Sequence, residues 1–144
     1  AQTEGVDFSL EDKNKIAKVL SEIGVDYIEG GWPGANPVDT EFFSKPLSLN
    51  KSIFTAFGMT KKTGRSADND PSIAALINAS CSAVCVVGKA WDFHVKTALE
   101  IKKEDNIENI KGTAKHIVKS GKEFLFDAEH FFDGFKSNPD YALV

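Results

Sequence analysis

Three times in this chain an asparagine or aspartate stands directly before a proline: Asn36-Pro37, Asp70-Pro71 and Asn138-Pro139. The short polar side chain can accept from the N–H groups of a first helical turn, and proline's preset φ and missing N–H cost nothing at the first helical position. Each pair therefore starts a helix: "PVDTEFFSK", then "SIAALINAS" with apolar Ile73, Ala74, Leu76 and Ile77, then the segment from Pro139. Ser9 with Asp12 reads as a capping box for an earlier helix in which Ile16, Val19, Leu20 and Ile23 keep helical spacing up to Gly24. From about Glu104, Ile107, Ile110, Ala114, Ile117 and Val118 do the same in the longest helix, up to Gly121.

Between the helices lie runs rich in β-branched and aromatic residues, "VDYIEGG", "KSIFTAFG", "SAVCVVG" and "KEFLFDAE". Strands alternating with helices at intervals of roughly thirty residues predict βαβ units, a parallel sheet and right-handed crossovers. The runs are nearly all apolar, as strands covered on both faces are. The class is therefore α/β, and both a doubly wound open sheet and a (β/α)8 barrel accommodate such strands. No G-x-G-x-x-G follows a strand and no Walker A pattern occurs, which weighs against a nucleotide-binding open sheet.

At 144 residues, 42% hydrophobic and 26% charged, the chain has the composition of one folded domain. Its net charge of -4 is spread, without a basic stripe interleaved with aromatics, so neither nucleic acid nor an anionic membrane is an expected partner. No run reaches the roughly eighteen apolar residues of a membrane span, and "AQTEGVDFSL" lacks the features of a signal peptide, so the cytoplasm is the expected compartment. Cys81 and Cys85 lack a second ligand pair and read as small buried apolar residues in a reduced setting. Ala1 at the head, and "SNPDYALV" opening a helix with little room to finish, suggest a piece of a longer protein.

In parallel α/β folds chemistry gathers at the carboxyl ends of the strands. Those ends carry Glu29 before Gly30-Gly31-Trp32-Pro33-Gly34; Phe57-Gly58; Gly88-Lys89, with Trp91, Asp92, Phe93 and His94 just after; and Asp127, Glu129 and His130. Most have a plain structural reading as well. A single acid such as Glu29 is easily solvated in a loop, Trp32 and Trp91 offer large packing surfaces, and His94 serves as a hydrogen-bonded loop histidine as readily as a functional one. His116 lies mid-helix and reads as structural. Lys61, Lys62 and Arg65 in "MTKKTGRSADND" carry the charge to grip a phosphate, although such a loop is commonly just solvated.

The last strand is different. Alternation puts Phe124, Phe126 and Ala128 on one face and Leu125, Asp127 and Glu129 on the other. Ionised carboxylates on an inward face require a cation, a metal or donors to offset lost hydration. Within the chain the candidates are His94, His130 and Lys89, and an arginine or a metal supplied from outside it fits the demand better.

"AQTEGVDFSLEDKNKIAKVLSEIGVDYIEGGWPGANPVD", "GKAWDFHVKTALEIKKEDNIENI" and "FDAEHFFDGFKSNPDYAL" resemble, in order and spacing, the citramalate synthases of the isopropylmalate and homocitrate synthase family, and "IEGGWPGANP" and "WDFHV" look more like the citramalate branch. The resemblance implies a TIM barrel of which residues 1–144 form a partial catalytic domain holding the second to fifth strands. It places an Arg-Asp-Gly motif just before Ala1 and a His-x-His strand beyond Val144, so that the catalytic arginine and the metal ligands lie outside this chain. The implied reaction condenses acetyl-CoA with pyruvate to (R)-citramalate and CoA, in isoleucine biosynthesis, with a divalent ion, Mg²⁺ or Mn²⁺ or else Zn²⁺, polarising the keto acid. By position, Glu129 matches a glutamate that holds the arginine and assists proton transfer, Asp127 lines the keto-acid pocket, His94 lies near the substrate, and Glu29 and Gln2 face the site from strand ends. A homodimer is implied by the same analogy. Isopropylmalate synthase, homocitrate synthase and an aldolase-type lyase are the alternatives, and the chain by itself is expected to be inactive, with open sheet edges.

Overall fold

The computed structural model describes residues 4–144. Parallel strands β1 (Tyr27–Glu29), β2 (Ile53–Met59), β3 (Ala83–Lys89) and β4 (Glu123–Glu129) form one sheet in the order β1-β2-β3-β4. The helices are α1 (Leu10–Glu22), α2 (Pro37–Phe42), α3 (Pro71–Asn78), α4 (Asp92–His94, running on as a π-helical turn through Leu99), α5 (Lys103–Lys119), α6 (Phe131–Ser137) and α7 (Pro139–Ala142). Every Asx-Pro pair caps as its chemistry dictates: Asn36 accepts from the Asp39 N–H, Asp70 from those of Ser72 and Ile73, and Asn138 from that of Tyr141. Ser9 and Asp12 close the capping box on α1. The separate helices α4 and α6 were not legible in the apolar spacing, because both are short and carry exposed phenylalanines.

A doubly wound sheet reverses its strand order at a switch point. Here each strand adds beside the last, as in a barrel wall. Three strand spacings of about 4.8 Å would hold β1 and β4 roughly 14 Å apart in a flat sheet. The Tyr27 hydroxyl nevertheless donates to the Glu123 carboxylate at 2.7 Å, so the wall curls inward. The fold is a curled four-stranded piece of a TIM barrel.

Register assigns the two faces. Ile28, Phe54, Ala56, Val84 and Val86 point outward and are buried beneath the helices with Ile73, Leu76 and Ile117. Glu29, Thr55, Phe57, Cys85, Val87, Lys89, Asp127 and Glu129 point inward.

Two helices bury only part of the stripes read from apolar spacing. In α1, Val19 and Ile23 are exposed, Leu20 packs against the core, Ala17 and Ser21 are buried, and Lys13 pairs with Asp39 of α2. In α5 the most buried positions are Asn106, Asn109, Thr113 and Ile117, with Val118 exposed. The three polar members satisfy neighbouring loops: Asn106 donates to the Lys89 carbonyl, Asn109 to Thr63, and Thr113 accepts from the Lys61 N–H.

Candidate active site at the strand ends

The loop after β1 explains the run "EGGWPG". Asp39 at the start of α2 accepts from the Trp32 N–H at 3.0 Å and pairs with Lys13, which also donates to the Gly30 carbonyl at 2.9 Å. Burial alone would raise the Asp39 carboxyl; the bonds from Lys13 and Trp32, the lysine charge and Asn36 outweigh it and hold the group below its ordinary value. A Cβ on Gly31, whose φ is 131°, would lie 2.6 Å from that carboxylate, so the second glycine is required by the clamp. These glycines shape a wall of the mouth and leave Glu29 at its rim.

Glu29 shares a rung with Thr55 and, through it, Ala83. In a flat sheet Ala83 would be its nearest neighbour on β3, yet its carboxylate interacts with the Cys85 thiol, one inward position further along. A barrel with a shear of about eight residues over eight strands advances about one residue per strand at constant height, which brings alternate strands into one layer. That offset matches this meeting. Loss of hydration raises the Glu29 carboxyl, the thiol opposes the rise, and the charge of Asp127 adds to it. Burial and then the charges of Glu29 and Asp127 push the Cys85 thiol up from 9.0 to about 11. Cys85 is therefore a protonated, uncharged thiol at neutral pH, and its partly exposed side chain faces the acids Glu29 and Asp127.

Glu129, the last residue of β4, forms an ion pair with Lys89, the last residue of β3 and its partner on the same rung; the two side chains are 34% and 17% exposed. The cation that the sequence reading sought outside the chain is supplied, for this acid, from within it. Asp127 lies one inward position below and is exposed on the open face.

His94 belongs to a different cluster. Its ring lies 4.7 Å from that of Trp91 and meets the His130 ring edge-on at 4.6 Å. His130 has a left-handed backbone, φ 56° and ψ 34°, which turns the chain from β4 into α6, and its Nδ1 lies 3.3 Å from Asp133. The Trp91 indole N–H is buried with no partner among the described residues. Gln2 lies outside the described residues.

The structure thus brings Glu29 to Cys85 on the inner face, with Asp127 close enough for its charge to act on both, Glu129 with Lys89 at the rim, and His94 with Trp91 and His130 beside it. Among the described residues no three His, Cys, Asp or Glu side chains are grouped so as to hold a metal ion, so the residues present do not by themselves fit one. Cys85 was missed as a site residue, while Lys89 was named as a candidate cation for the β4 acids but not matched to Glu129. The signal for both was the alternation read on β4: applied to β3, it puts Cys85, Val87 and Lys89 on the face of Asp127 and Glu129.

Residues 1–140 match the family model described as HMGL-like. The chain is 48% identical over 145 residues to the (R)-citramalate synthase of Aquifex aeolicus, covering 99% of this chain and 28% of that protein. It is 45% identical over 144 residues to the (R)-citramalate synthase of Geobacter sulfurreducens, covering 99% and 27%. A 2-isopropylmalate synthase of Sulfurisphaera tokodaii is 29% identical over 142 residues, covering 99% and 34%. The chain therefore spans only 27% to 34% of the length of these relatives. With the family match running over nearly all of a curled parallel wall whose polar residues line its inner face, the chain belongs to the HMGL-like family.

Proposed function

We propose that this chain is part of an acyltransferase that condenses acetyl-CoA with pyruvate, giving (R)-citramalate and free CoA. The observation that carries the reading is the gap in identity across the same 99% of the chain: 48% and 45% to citramalate synthases, against 29% to a 2-isopropylmalate synthase. In this reading residues 1–144 are a partial catalytic domain of a longer cytoplasmic homodimer on the isoleucine route.

The acetyl methyl group must lose a proton, its carbon must attack the keto carbon, and water must then cleave the thioester to release the CoA thiol. Glu129 is the group in this chain suited to the proton: it stands at the rim, and the Lys89 ammonium fixes its carboxylate. Lys89 also puts a positive charge where oxyanion character develops during attack. Glu29 and Asp127 offer acceptors on the inner wall, and His94 borders the mouth beside a free indole donor on Trp91. The divalent ion implied by the family resemblance finds no ligand set among the described residues.

The full-length protein incubated with acetyl-CoA and pyruvate is expected to release thiol and form citramalate. Thiol release with 2-oxoisovalerate and not with pyruvate would replace this reading with the isopropylmalate one. Release with no keto acid tested would refute both and return the lyase alternative.

A further inference from the structure

A cleft of about 440 Å³, lined by none of the strand-end cluster's residues, runs between the 61–68 loop that follows β2 and α5. Four full positive charges line it, those of Lys61, Arg65, Lys115 and Lys119, against the acids Asp68 and Glu108. The chain as a whole carries -4, so this excess of cations is a local concentration against the overall sign. Asp68 is engaged by the fifth basic group, His116, whose Nδ1 lies 3.3 Å away. Among the described residues no carboxylate lies within 4.0 Å of the charged nitrogens of Lys61, Arg65, Lys115 or Lys119. Arg65 also acts at longer range on the capping acid Asp70.

Lys61 differs from an ordinary surface lysine in how it is held. Its backbone N–H donates to Thr113 at 2.9 Å, and its ammonium donates to Asn109 Oδ1 at 2.9 Å. Asn109 in turn donates to Thr63 at 2.7 Å, and both Asn109 and Thr113 are buried, at 4% and 0% exposure. The lysine stem lies over Gly112, where a Cβ would come within 2.8 Å of Lys61 Cε. Glycine in mid-helix is less favourable than alanine, so α5 gives up local stability at the point where the lysine crosses it. An ammonium has three N–H donors, and the protein matches one of them with a neutral oxygen. The result is a half-buried, oriented cation facing a basic cleft with donors to spare.

We propose that this cleft binds a phosphate-bearing anion, with Lys61 as its fixed donor and Arg65, Lys115 and Lys119 closing around it. Charge-assisted bonds to phosphate oxygens are the interactions such a donor set makes best. The phosphate can come from the free ion or from a phosphate ester such as the 3′-phosphate of CoA, and the shared chemistry is recognition of the oxyanion.

The test is calorimetric titration of the full-length protein with inorganic phosphate, CoA and dephospho-CoA at low and raised salt. Lys61→Met keeps the stem over Gly112 and removes the charge. Lys115→Gln with Lys119→Gln lies wholly on the surface and leaves the fold alone. Wild type is expected to bind phosphate, more weakly as salt rises, and each variant to lose at least about tenfold in affinity. If the cleft serves CoA, the preference for CoA over dephospho-CoA disappears in both variants and phosphate competes with CoA; if it serves a free anion, phosphate binds alongside CoA with that preference intact. Phosphate affinity unchanged in both variants, or absent from the wild type, would overturn the proposal. Because phosphate binding is read without turnover, a failed condensation assay leaves this test standing.

Discussion

The two ends of the sheet's outer face treat the same amino acid in opposite ways. At the β1–β2 end the rings of Phe43 and Phe54 stack at 4.5 Å, Phe42 meets Phe54 at 5.0 Å, and all are at most 5% exposed. At the β4 end Phe126 is 43% exposed and borders a cavity of about 400 Å³ with Ile107, Ile110, Phe131 and Tyr141. The strands themselves do not differ enough to explain this. At one end Phe42 and Phe43, at the end of α2, pack over the sheet; at the other, among the described residues, the half-buried apolar stripe of α5 and the short α6 and α7 are what approaches it. Burial of a phenylalanine is thus set by whether a further element closes over it.

The largest effect expected from this contrast is on stability. Phe54→Ala should cost about 3–5 kcal/mol in urea unfolding, whereas Phe126→Ala, already half in water, should cost roughly 1 kcal/mol. Equal losses would show that the β4 end is closed in solution. The next effect concerns the polar clamp that secures the closed end. Asp39→Asn removes the partner of Lys13 and should cost about 1–3 kcal/mol. The sign with pH follows from its depressed carboxyl: the contribution is complete above the ordinary value of 3.8 and is lost as pH falls through the lower folded value, so wild type and variant should converge in acid.

On the inner face the expected shifts are smaller and opposite in sign. The raised carboxyl of Glu29 means that its ionisation weakens the fold as pH rises through the folded value, so Glu29→Gln should raise the melting temperature slightly at neutral pH and leave it unchanged well below 4.5. Cys85, at about 11, should resist alkylation at pH 7 in the folded protein and react at the normal rate once unfolded.

Much of this was legible in the sequence for local reasons. Asn36, Asp70 and Asn138 declare helix starts because cap and proline act within a few residues, and the alternation in "FLFDAE" fixes which way Asp127 and Glu129 point. What was not legible depends on distant partners. Lys13 meets Asp39 across 26 positions, a pairing that nothing local to α1 announces. Asn106, Asn109 and Thr113 carry no burial signal of their own, and their place inside depends on the distant groups they bond. The pairing of Glu129 with Lys89 needed the β3–β4 register, which no local pattern specifies.

The central claim is that the inner rim of this wall carries chemistry, with Glu129 as its working acid. It is tested most directly by kcat for thiol release from acetyl-CoA and pyruvate in the full-length protein carrying Glu129→Gln, with folding checked by circular dichroism. The account predicts a folded protein whose kcat falls about 10²- to 10⁴-fold. A folded variant that turns over within about twofold of wild type would contradict it.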